Sequence, residues 1–388
     1  IYTYYEGNIM LQSTKWVAEQ IAELVKNEKT NNILNSVNVS DGINTVRFYS
    51  DNENELVAAK QYFMDLYAVE DSNEDTVGKI FTVYSIKSSL CRKMKESLPF
   101  HEADKIFYDM QQGLLYEDET IYCVIRKNQL GVTVFLKEDE TSIYIRESDT
   151  IENVHLSQLI KEPLNSYKIA NGYLLLHCAA CSVDNKVVVF PAQKCGGKST
   201  IVMGMLGDNR CKYLGNDSLF IKPENSEIIT MKNPHAIRLG SETIENNHFL
   251  SQYLKDNDNC NKAKMYDASL ILNNKTQIVP CILDSIFGKD KIEHNGMKIS
   301  HFVFPTLKPE SGENIIREVN EDEIISMMYD CYNSRDHRIN WLPYYNTETL
   351  EMREKETFLQ VLDAISFKCY HLVFDGQIEI AVNNIITK

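Results

Sequence analysis

The chain has 388 residues, of which 43% are hydrophobic and 24% are charged, and its formal net charge at pH 7 is −15. This composition supplies enough apolar surface to offset the entropy lost on folding, which excludes a mainly disordered chain. The acidic surface repels phosphate backbones, and the apolar stretches fall well short of the roughly 20 residues that span a bilayer, so we expect neither nucleic acid nor a membrane as a partner.

The first part of the chain mixes helical and strand-like patterns. Apolar residues at helical spacing predict helices over 10–26 and 54–66. Short apolar runs predict strands over 46–49, 80–84, 121–125, 132–136 and 142–145, with turn signals at 128–131 and 137–140. This part carries no catalytic signature, and we predict that residues 1–150 form a mixed α+β accessory domain.

The second domain is predicted over 151–388, and it begins with a helical pattern at 151–167. Residues 173–183 form an apolar run that predicts one long strand. A polar turn at 184–186 and an apolar run at 187–190 complete the pattern of a β-hairpin.

Ten cysteines are scattered along the chain. In a chain of this length, cysteines scattered in this way are typical of reduced thiols. The first residues show no secretory signal. We therefore expect a cytoplasmic protein. Cys178 and Cys181 have C-x-x-C spacing, but they lie inside a strand pattern and no second pair follows. Two small buried residues are therefore expected there rather than a zinc or redox site.

The loop after the hairpin has the element order that a phosphate site requires. Residues 191–200 are P-A-Q-K-C-G-G-K-S-T, and a helical pattern follows at 201–206. The end of this segment fits the P-loop pattern G-x-x-x-x-G-K-[ST], with Ala192 at the position of the first glycine. In such a loop, backbone N–H groups bind phosphates, the lysine reaches the β- and γ-phosphates, and the hydroxyl ligates Mg²⁺. The alternative is a plain strand-to-helix turn with an exposed lysine.

Two polar interruptions accompany this loop. Residues 211–221 predict a strand, a break at Asn216 and Asp217, and a second strand. A carboxylate in such a break suits Mg²⁺ coordination or proton abstraction, and an ordinary Asn-Asp turn is the alternative. His177 lies in an apolar strand pattern, where a hydrogen-bonded core histidine is the alternative to a functional one.

Together these segments resemble the HPr kinase/phosphorylase family and its wider kin, which include the peptide kinases of lasso-peptide gene clusters. Family members have, in order, a Leu/Met-His pair, a hairpin, a Walker A loop and a strand turn with an Asp-Asp pair. The resemblance is clear over 160–240 and extends weakly through 303–305 and 370–385. It implies an α/β domain with a P-loop related to that of phosphoenolpyruvate carboxykinase.

The resemblance also implies roles for the matching residues. His177 corresponds to the histidine beside the phosphate site. Asp217 corresponds to the second acid of the pair, which implies that it acts as a base. Asp217 and Ser199 are the implied metal ligands. Asn216 stands where the family has the first acid, and an amide orients a hydroxyl but cannot take its proton. Arg238 falls where a cation could neutralise the transferred phosphoryl group, with an ordinary surface arginine as the alternative. The implied phosphate-binding residues are Lys194, Cys195, Gly196, Gly197, Lys198, Ser199 and Thr200, and Lys198 is counted among the catalytic residues as well.

These residues predict a kinase that uses ATP, or another nucleoside triphosphate, and Mg²⁺. The expected acceptor is a hydroxyl of a peptide serine, a small protein or a metabolite, and homo-oligomerisation is left open. The alternative is a nucleotide-binding regulatory or scaffold protein of the same fold without transfer activity, which Asn216 and Ala192 favour.

Overall fold

A computed structural model describes residues 16–17, 19–27, 34–71, 76–103, 113–126, 131–150, 153–257, 275–308, 311–333, 341–375 and 385. The architecture is mixed α and β, with several sheets. Among these residues, no helix is both long enough and apolar enough to cross a membrane.

The chain forms two compact units. The first comprises Ile1–Ala170 and Asp336–Met352, and the second comprises Asn171–Arg335 and Arg353–Lys388. The first unit thus includes the helix that the sequence pattern assigned to the second domain, together with a segment that returns from much later in the chain. A side-chain hydrogen bond holds this returning segment in the unit: the carboxylate of Glu162 accepts from the backbone N–H of Trp341 at 2.8 Å.

The first unit is built around one nine-stranded sheet, with strand order β3-β1-β2-β4-β9-β8-β7-β6-β5. Strands β2, β4 and β9 pair in parallel, and the other neighbours are antiparallel. The strands are β1 Asn35–Ser40, β2 Thr45–Ser50, β3 Ala68–Asp71, β4 Ile80–Lys87, β5 His101–Ala103, β6 Gly113–Glu117, β7 Ile121–Arg126, β8 Val132–Leu136 and β9 Thr141–Arg146. The helices are α1, helical at 16–17 and 19–27, α2 Glu53–Phe63, α3 Leu90–Ser97 and α4 Asn153–Ala170.

The second unit contains three smaller sheets, of which the largest has the order β13-β11-β12-β18-β20-β19. The others have the orders β10-β14-β15 and β16-β17. The strands are β10 Leu174–Leu176, β11 Cys178–Val183, β12 Lys186–Pro191, β13 Cys211–Gly215, β14 Leu219–Glu224, β15 Glu227–Lys232, β16 Ile237–Gly240, β17 Lys275–Ile278, β18 Ile299–Leu307, β19 Ile315–Glu318 and β20 Cys369–Phe374. The helices are α5 Lys198–Met205, α6 Ser241–Glu245, α7 His248–Asn257, α8 Leu283–Phe287 and α9 Glu321–Asn333, with a 3-10 turn at Pro280–Ile282. The last helix, α10 Thr347–Asp363, begins in the first unit and belongs to the second from Arg353 onward.

The predicted long strand over 173–183 is wrong in one respect, because the chain changes sheets at His177. β10 pairs with β14, whereas β11 pairs with β12 and β13. The predicted hairpin is confirmed: β11 and β12 are antiparallel and are joined by Asp184 and Asn185, which both have positive φ. Cys178 and Cys181 are fully buried, as expected.

Three strands of the six-stranded sheet run in the same direction and position the site. β12 pairs in parallel with β18, and β18 pairs in parallel with β20. Their carboxyl ends therefore meet at one edge of the sheet, where ligands of open α/β sheets usually bind. The loop at residues 192–197 leaves β12 at this edge.

Some positions of the predicted pattern lie outside the described residues. They are 10–15 and 18 of the first predicted helix, 128–130 of a predicted turn, 151–152 of the helical pattern that begins the second predicted domain, and 376–384 of the resemblance near the end of the chain.

Candidate functional site

The loop between β12 and α5 turns sharply because of two adjacent glycines. Gly197 is the N-cap of α5, with φ 84° and ψ 5°, a left-handed conformation that favours glycine. A Cβ atom at Gly197 would lie 2.4 Å from Cζ of Phe374, and one at Gly196 would lie 2.9 Å from Cβ of Ala192. The close approach of neighbouring groups therefore disfavours a side chain at both positions, and the left-handed conformation disfavours one at Gly197 as well.

The N-terminus of α5 presents backbone donors at the end of this turn. The first helical hydrogen bond runs from the Ile201 N–H to the Gly197 carbonyl at 3.0 Å, so the three preceding N–H groups have no partner within the helix. The cap residue has no side chain to accept from them. Helix N-termini of this kind bind phosphate and other anions through their N–H groups and the helix dipole.

Thr200 and Ser199 differ in their surroundings. The hydroxyl of Thr200 lies 2.9 Å from that of Thr243, which ties α5 to α6. Ser199 is half-buried in the first turn of α5. Of these two predicted residues, the Ser199 side chain is therefore the better placed for a ligand, and Thr200 offers its backbone N–H.

Lys198 lies folded against the loop rather than extended into solvent. Its Nζ donates to the carbonyls of Ala192 and Gln193 at 2.8 Å each and lies 3.0 Å from Nε2 of His177. The residue is only 7% exposed, and burial lowers the pKa of Lys198, an effect that the nearby carboxylate of Asp217 opposes. The alternative of an exposed lysine in a plain turn does not describe this side chain.

The contact between Lys198 and His177 relates the protonation of the two side chains. A charged ammonium group has three N–H donors and no acceptor, and three acceptor atoms lie within hydrogen-bond distance of Nζ here. With Lys198 charged, Nε2 of His177 accepts, and a neutral imidazole then carries its proton on Nδ1. Nδ1 lies 3.9 Å from Oδ1 of Asp217, so the imidazole N–H faces the carboxylate.

Asp217 lies near two imidazole rings. Its Oδ2 is 3.6 Å from Nε2 of His235, whereas its Oδ1 is the oxygen near His177. Asp217 has φ 70°, an unusual conformation for a residue with a side chain, and 41% of its side chain is exposed. Backbone strain of this kind is frequent at functional sites. Sequence reasoning missed His235, because it lies 18 positions away from Asp217 and no local pattern marks it.

The strand registers explain why these residues meet. Leu176 pairs with Leu219 in one sheet, and Ala180 pairs with Gly215 in the next. The chain segments between these two pairs, 177–179 and 216–218, consequently lie at the same junction between sheets. Two interruptions that are far apart in the sequence therefore become neighbours.

Asn216 is nearly inaccessible, with 3% of its surface exposed, and its Oδ1 has no hydrogen-bond partner among the described residues. Next to it, the hydroxyl of Ser218 accepts a hydrogen bond from the Asn233 side chain at 2.8 Å. A buried amide oxygen without a donor is costly, by about 1–3 kcal/mol. A ligand hydroxyl or a hydrated cation would satisfy this atom.

Arg238 is half-buried on β16, a strand that packs against α5. Its Nε is inaccessible and has no acceptor among the described residues. Its cross-strand partner Gln277 likewise has an inaccessible side-chain nitrogen without an acceptor. Two such donors on one face of this two-stranded sheet are suited to binding an anionic group. The sequence alternative, an ordinary surface arginine, describes this half-buried side chain less well.

Lys194 and Cys195 are exposed on the loop, and Cys195 has φ 65°. A cavity of about 470 Å³ adjoins these residues at the edge of the sheet. Its floor is formed by the loop at 191–196 and by residues 304–307 at the end of β18.

The site fits a nucleotide phosphate tail and a magnesium ion. The described residues contain no cluster of three His, Cys, Asp or Glu side chains that could hold a metal by themselves. Mg²⁺ is commonly bound through one or two protein ligands together with substrate phosphates and water, which the Ser199 hydroxyl and the Asp217 carboxylate could supply in part. The donors of the loop and the orphaned oxygen of Asn216 are of the type that such a group would satisfy.

Comparison with known proteins adds little to this geometry. No family model matches the chain, and no curated protein matches it. Among solved structures, the HPr(Ser) kinase/phosphatase from Coxiella burnetii is similar over 37% of this chain and 70% of that chain, with 13% sequence identity and a TM-score of 0.23. It is a weak structural neighbour, and at this TM-score the likeness carries no argument about the fold.

Proposed function

We propose that this chain is a kinase that transfers the γ-phosphoryl group of ATP, or another nucleoside triphosphate, to a hydroxyl group. The acceptor is a serine of a peptide or small protein, or a small hydroxylated metabolite. Residues 151–388 would be its HPr-kinase-like P-loop domain, residues 1–150 an accessory domain, and its location the cytoplasm. The observation that carries the proposal is the convergence of the glycine turn, the buried Lys198 and the Asp217–His177 pair at one end of α5.

Binding of the phosphates requires Lys198 to change partners. All three of its N–H donors are used by the loop carbonyls and His177, so at least one must be released before the ammonium group can contact a phosphate oxygen. The free N–H groups of the helix N-terminus would bind the remaining oxygens. The lysine therefore stabilises the loop without ligand and would neutralise phosphate charge with it.

Proton transfer is assigned to Asp217. The carboxylate would take the proton of the acceptor hydroxyl, the hydroxyl oxygen would bond to the γ-phosphorus, and the bond from that phosphorus to the bridging oxygen of the leaving ADP would break. Nδ1 of His177 and Nε2 of His235 lie 3.9 and 3.6 Å from different oxygens of this carboxylate, close enough for the two imidazoles to influence the orientation of the base. Arg238 would neutralise charge on the transferred group.

Mg²⁺, when bound with the nucleotide, would supply further charge neutralisation on the β- and γ-phosphates. Ser199 and Asp217 are the side chains proposed to hold it. Asn216 would orient the acceptor hydroxyl or a water of the ion through its unpartnered oxygen.

A nucleotide-binding scaffold without transfer activity is the second candidate. The observation that favours it is the buried amide of Asn216, which cannot act as a base. In the kinase proposal, Asp217 alone carries that role. Transfer by the wild type therefore separates the two functions, and removal of the Asp217 carboxylate tests the assignment of the base.

The test uses the full chain with ATP·Mg²⁺ labelled in the γ-phosphate and a library of serine-containing peptides, with ADP release measured in parallel. Asp217→Asn should lower the rate of transfer by about 10²–10⁴-fold, because a positioned general base contributes that factor. Asp290→Asn is the matched control, since Asp290 has φ 62° and its side chain is 75% exposed.

The outcomes separate the candidates. Transfer by the wild type that is lost in Asp217→Asn and kept in Asp290→Asn supports the kinase. Tight binding of ATP without any ADP release supports the scaffold. Wild-type rates in Asp217→Asn would show that the base has been assigned to the wrong residue.

A further inference from the structure

The cavity beside the loop is formed at the shared carboxyl edge of β12, β18 and β20. It has a volume of about 470 Å³, within the range of roughly 300–1,000 Å³ that is typical of small-molecule sites. It is lined by residues 191–196 and 304–307 together with Met327, Asp330, Cys331 and His371. The helix α9 supplies three of these side chains, so the cavity lies between this helix and the phosphate loop.

The lining combines apolar walls with a few polar groups. Phe304 and Cys331 are buried, and Leu307 and Met327 are half-buried, which gives apolar surfaces against which a flat ring can pack. Asp330 is exposed, and its carboxylate can only accept hydrogen bonds when it is ionised.

The polar groups include a hydrogen-bonded pair on the neighbouring strands β18 and β20. The Thr306 hydroxyl lies 3.0 Å from Nε2 of His371. This pair orients the threonine hydroxyl at the edge of the cavity and adds a neutral hydrogen-bonding group to the acidic one on α9.

The lining carries two charged side chains, Lys194 on the loop and Asp330 on α9, and together they select the kind of ligand, because Lys194 attracts phosphate oxygens on the side of the loop. The carboxylate of Asp330 repels phosphate oxygens but accepts hydrogen bonds from hydroxyl and amino groups. A ligand with rings and hydroxyls suits this cavity, while its phosphates would lie against the N–H groups of the loop. The nucleoside part of a nucleotide has this chemistry.

The acceptor molecule is a poorer occupant, because its hydroxyl must reach Asp217. As the structure describes the cavity, its lining includes neither Asp217 nor the imidazoles of His177 and His235. The proposed base is therefore not part of this cavity, which the loop forms together with residues of α9, β18 and β20.

We infer that the cavity binds the nucleoside of the nucleoside triphosphate, with the base against the apolar walls and ribose hydroxyls donating to Asp330. The inference rests on the proposed function, and it assigns α9 to nucleotide recognition. The cavity then distinguishes a nucleotide from a bare polyphosphate.

Calorimetric titration of the full chain with ATP·Mg²⁺ and with inorganic tripolyphosphate·Mg²⁺ tests this assignment. Met327→Trp fills the cavity and should weaken ATP binding by about tenfold or more, while tripolyphosphate binding changes by less than about twofold. Asp330→Asn, at an exposed position where misfolding is not expected, should weaken ATP binding by about fivefold. Ile325→Trp and Asp322→Asn, on exposed positions of the same helix outside the cavity, are the matched controls.

Each result has one meaning. Unchanged ATP affinity in both Met327→Trp and Asp330→Asn would overturn the inference, as would equal wild-type affinity for ATP and tripolyphosphate. In both cases, continued binding of tripolyphosphate would still support the proposed phosphate site. If the wild type binds neither compound, the proposed function and this inference both fail.

Discussion

The glycine at the start of α5 offers a quantitative test of how the conformation of the loop between β12 and α5 is stabilised. Gly197→Ala introduces two costs. The left-handed φ of 84° costs about 1–2 kcal/mol for a residue with a Cβ atom. The new Cβ would lie 2.4 Å from Cζ of Phe374, and overpacking of this kind costs about 1–3 kcal/mol. We therefore expect a total destabilisation of about 2–5 kcal/mol.

Gly172→Ala is a control that carries only the first cost. Gly172 has φ 79°, and a Cβ atom there would meet nothing within 4 Å. Its destabilisation should be about 1–2 kcal/mol. The difference between the two variants then measures the contact with Phe374, and Phe374→Leu in the Gly197→Ala background should restore part of it.

The assay must report on the second unit, where both glycines lie. The two tryptophans, Trp16 and Trp341, belong to the first unit, so tryptophan fluorescence is unsuitable. Hydrogen exchange of the amides in β11, β12 and β18, measured by mass spectrometry, gives the opening free energy of the second unit. Equal destabilisation in Gly197→Ala and Gly172→Ala would refute the packing argument.

Two further predictions concern charge. Lys198→Met should lower phosphoryl transfer by about 10²–10³-fold, the loss expected for one preorganised electrostatic contact. Lys298→Met, at an exposed position, should leave the rate unchanged, and equal rates in the two variants would contradict the role of Lys198. Burial raises the pKa of Cys331 to about 12 from 9.0, while Lys198 opposes the shift. The folded state therefore keeps this proton when the unfolded state loses it, so stability falls as the pH rises above about 9, by about 1 kcal/mol between pH 9 and 10. Cys331→Ala should reduce the slope of hydrogen-exchange stability against pH by that amount, and an unchanged slope would contradict the assignment.

The local elements of the second unit could be predicted from the sequence. The hairpin of β11 and β12, the turn at Gly196 and Gly197, and the helix after it depend on short-range preferences. Apolar alternation, turn residues and glycine conformations are readable within about ten positions. The break at Asn216 and Asp217 between β13 and β14 was visible for the same reason.

The sequence pattern failed at His177, where an unbroken apolar run is divided between two sheets. Apolar alternation reports that a strand is buried, but it carries no information on which neighbour the strand pairs with. The two halves pair with different strands, the first with β14 and the second with β13, and the paired residues lie 28 to 47 positions later in the chain.

The geometry of the loop between β12 and α5 therefore follows from the sequence itself, since the conformations of two adjacent glycines and the start of a helix are local properties. The carboxylate near two imidazoles, the half-buried Arg238 and the cavity under α9 were decided only by tertiary structure. Each depends on contacts between segments that are distant along the chain, and the free energy of such contacts comes from packing and burial that no local window contains.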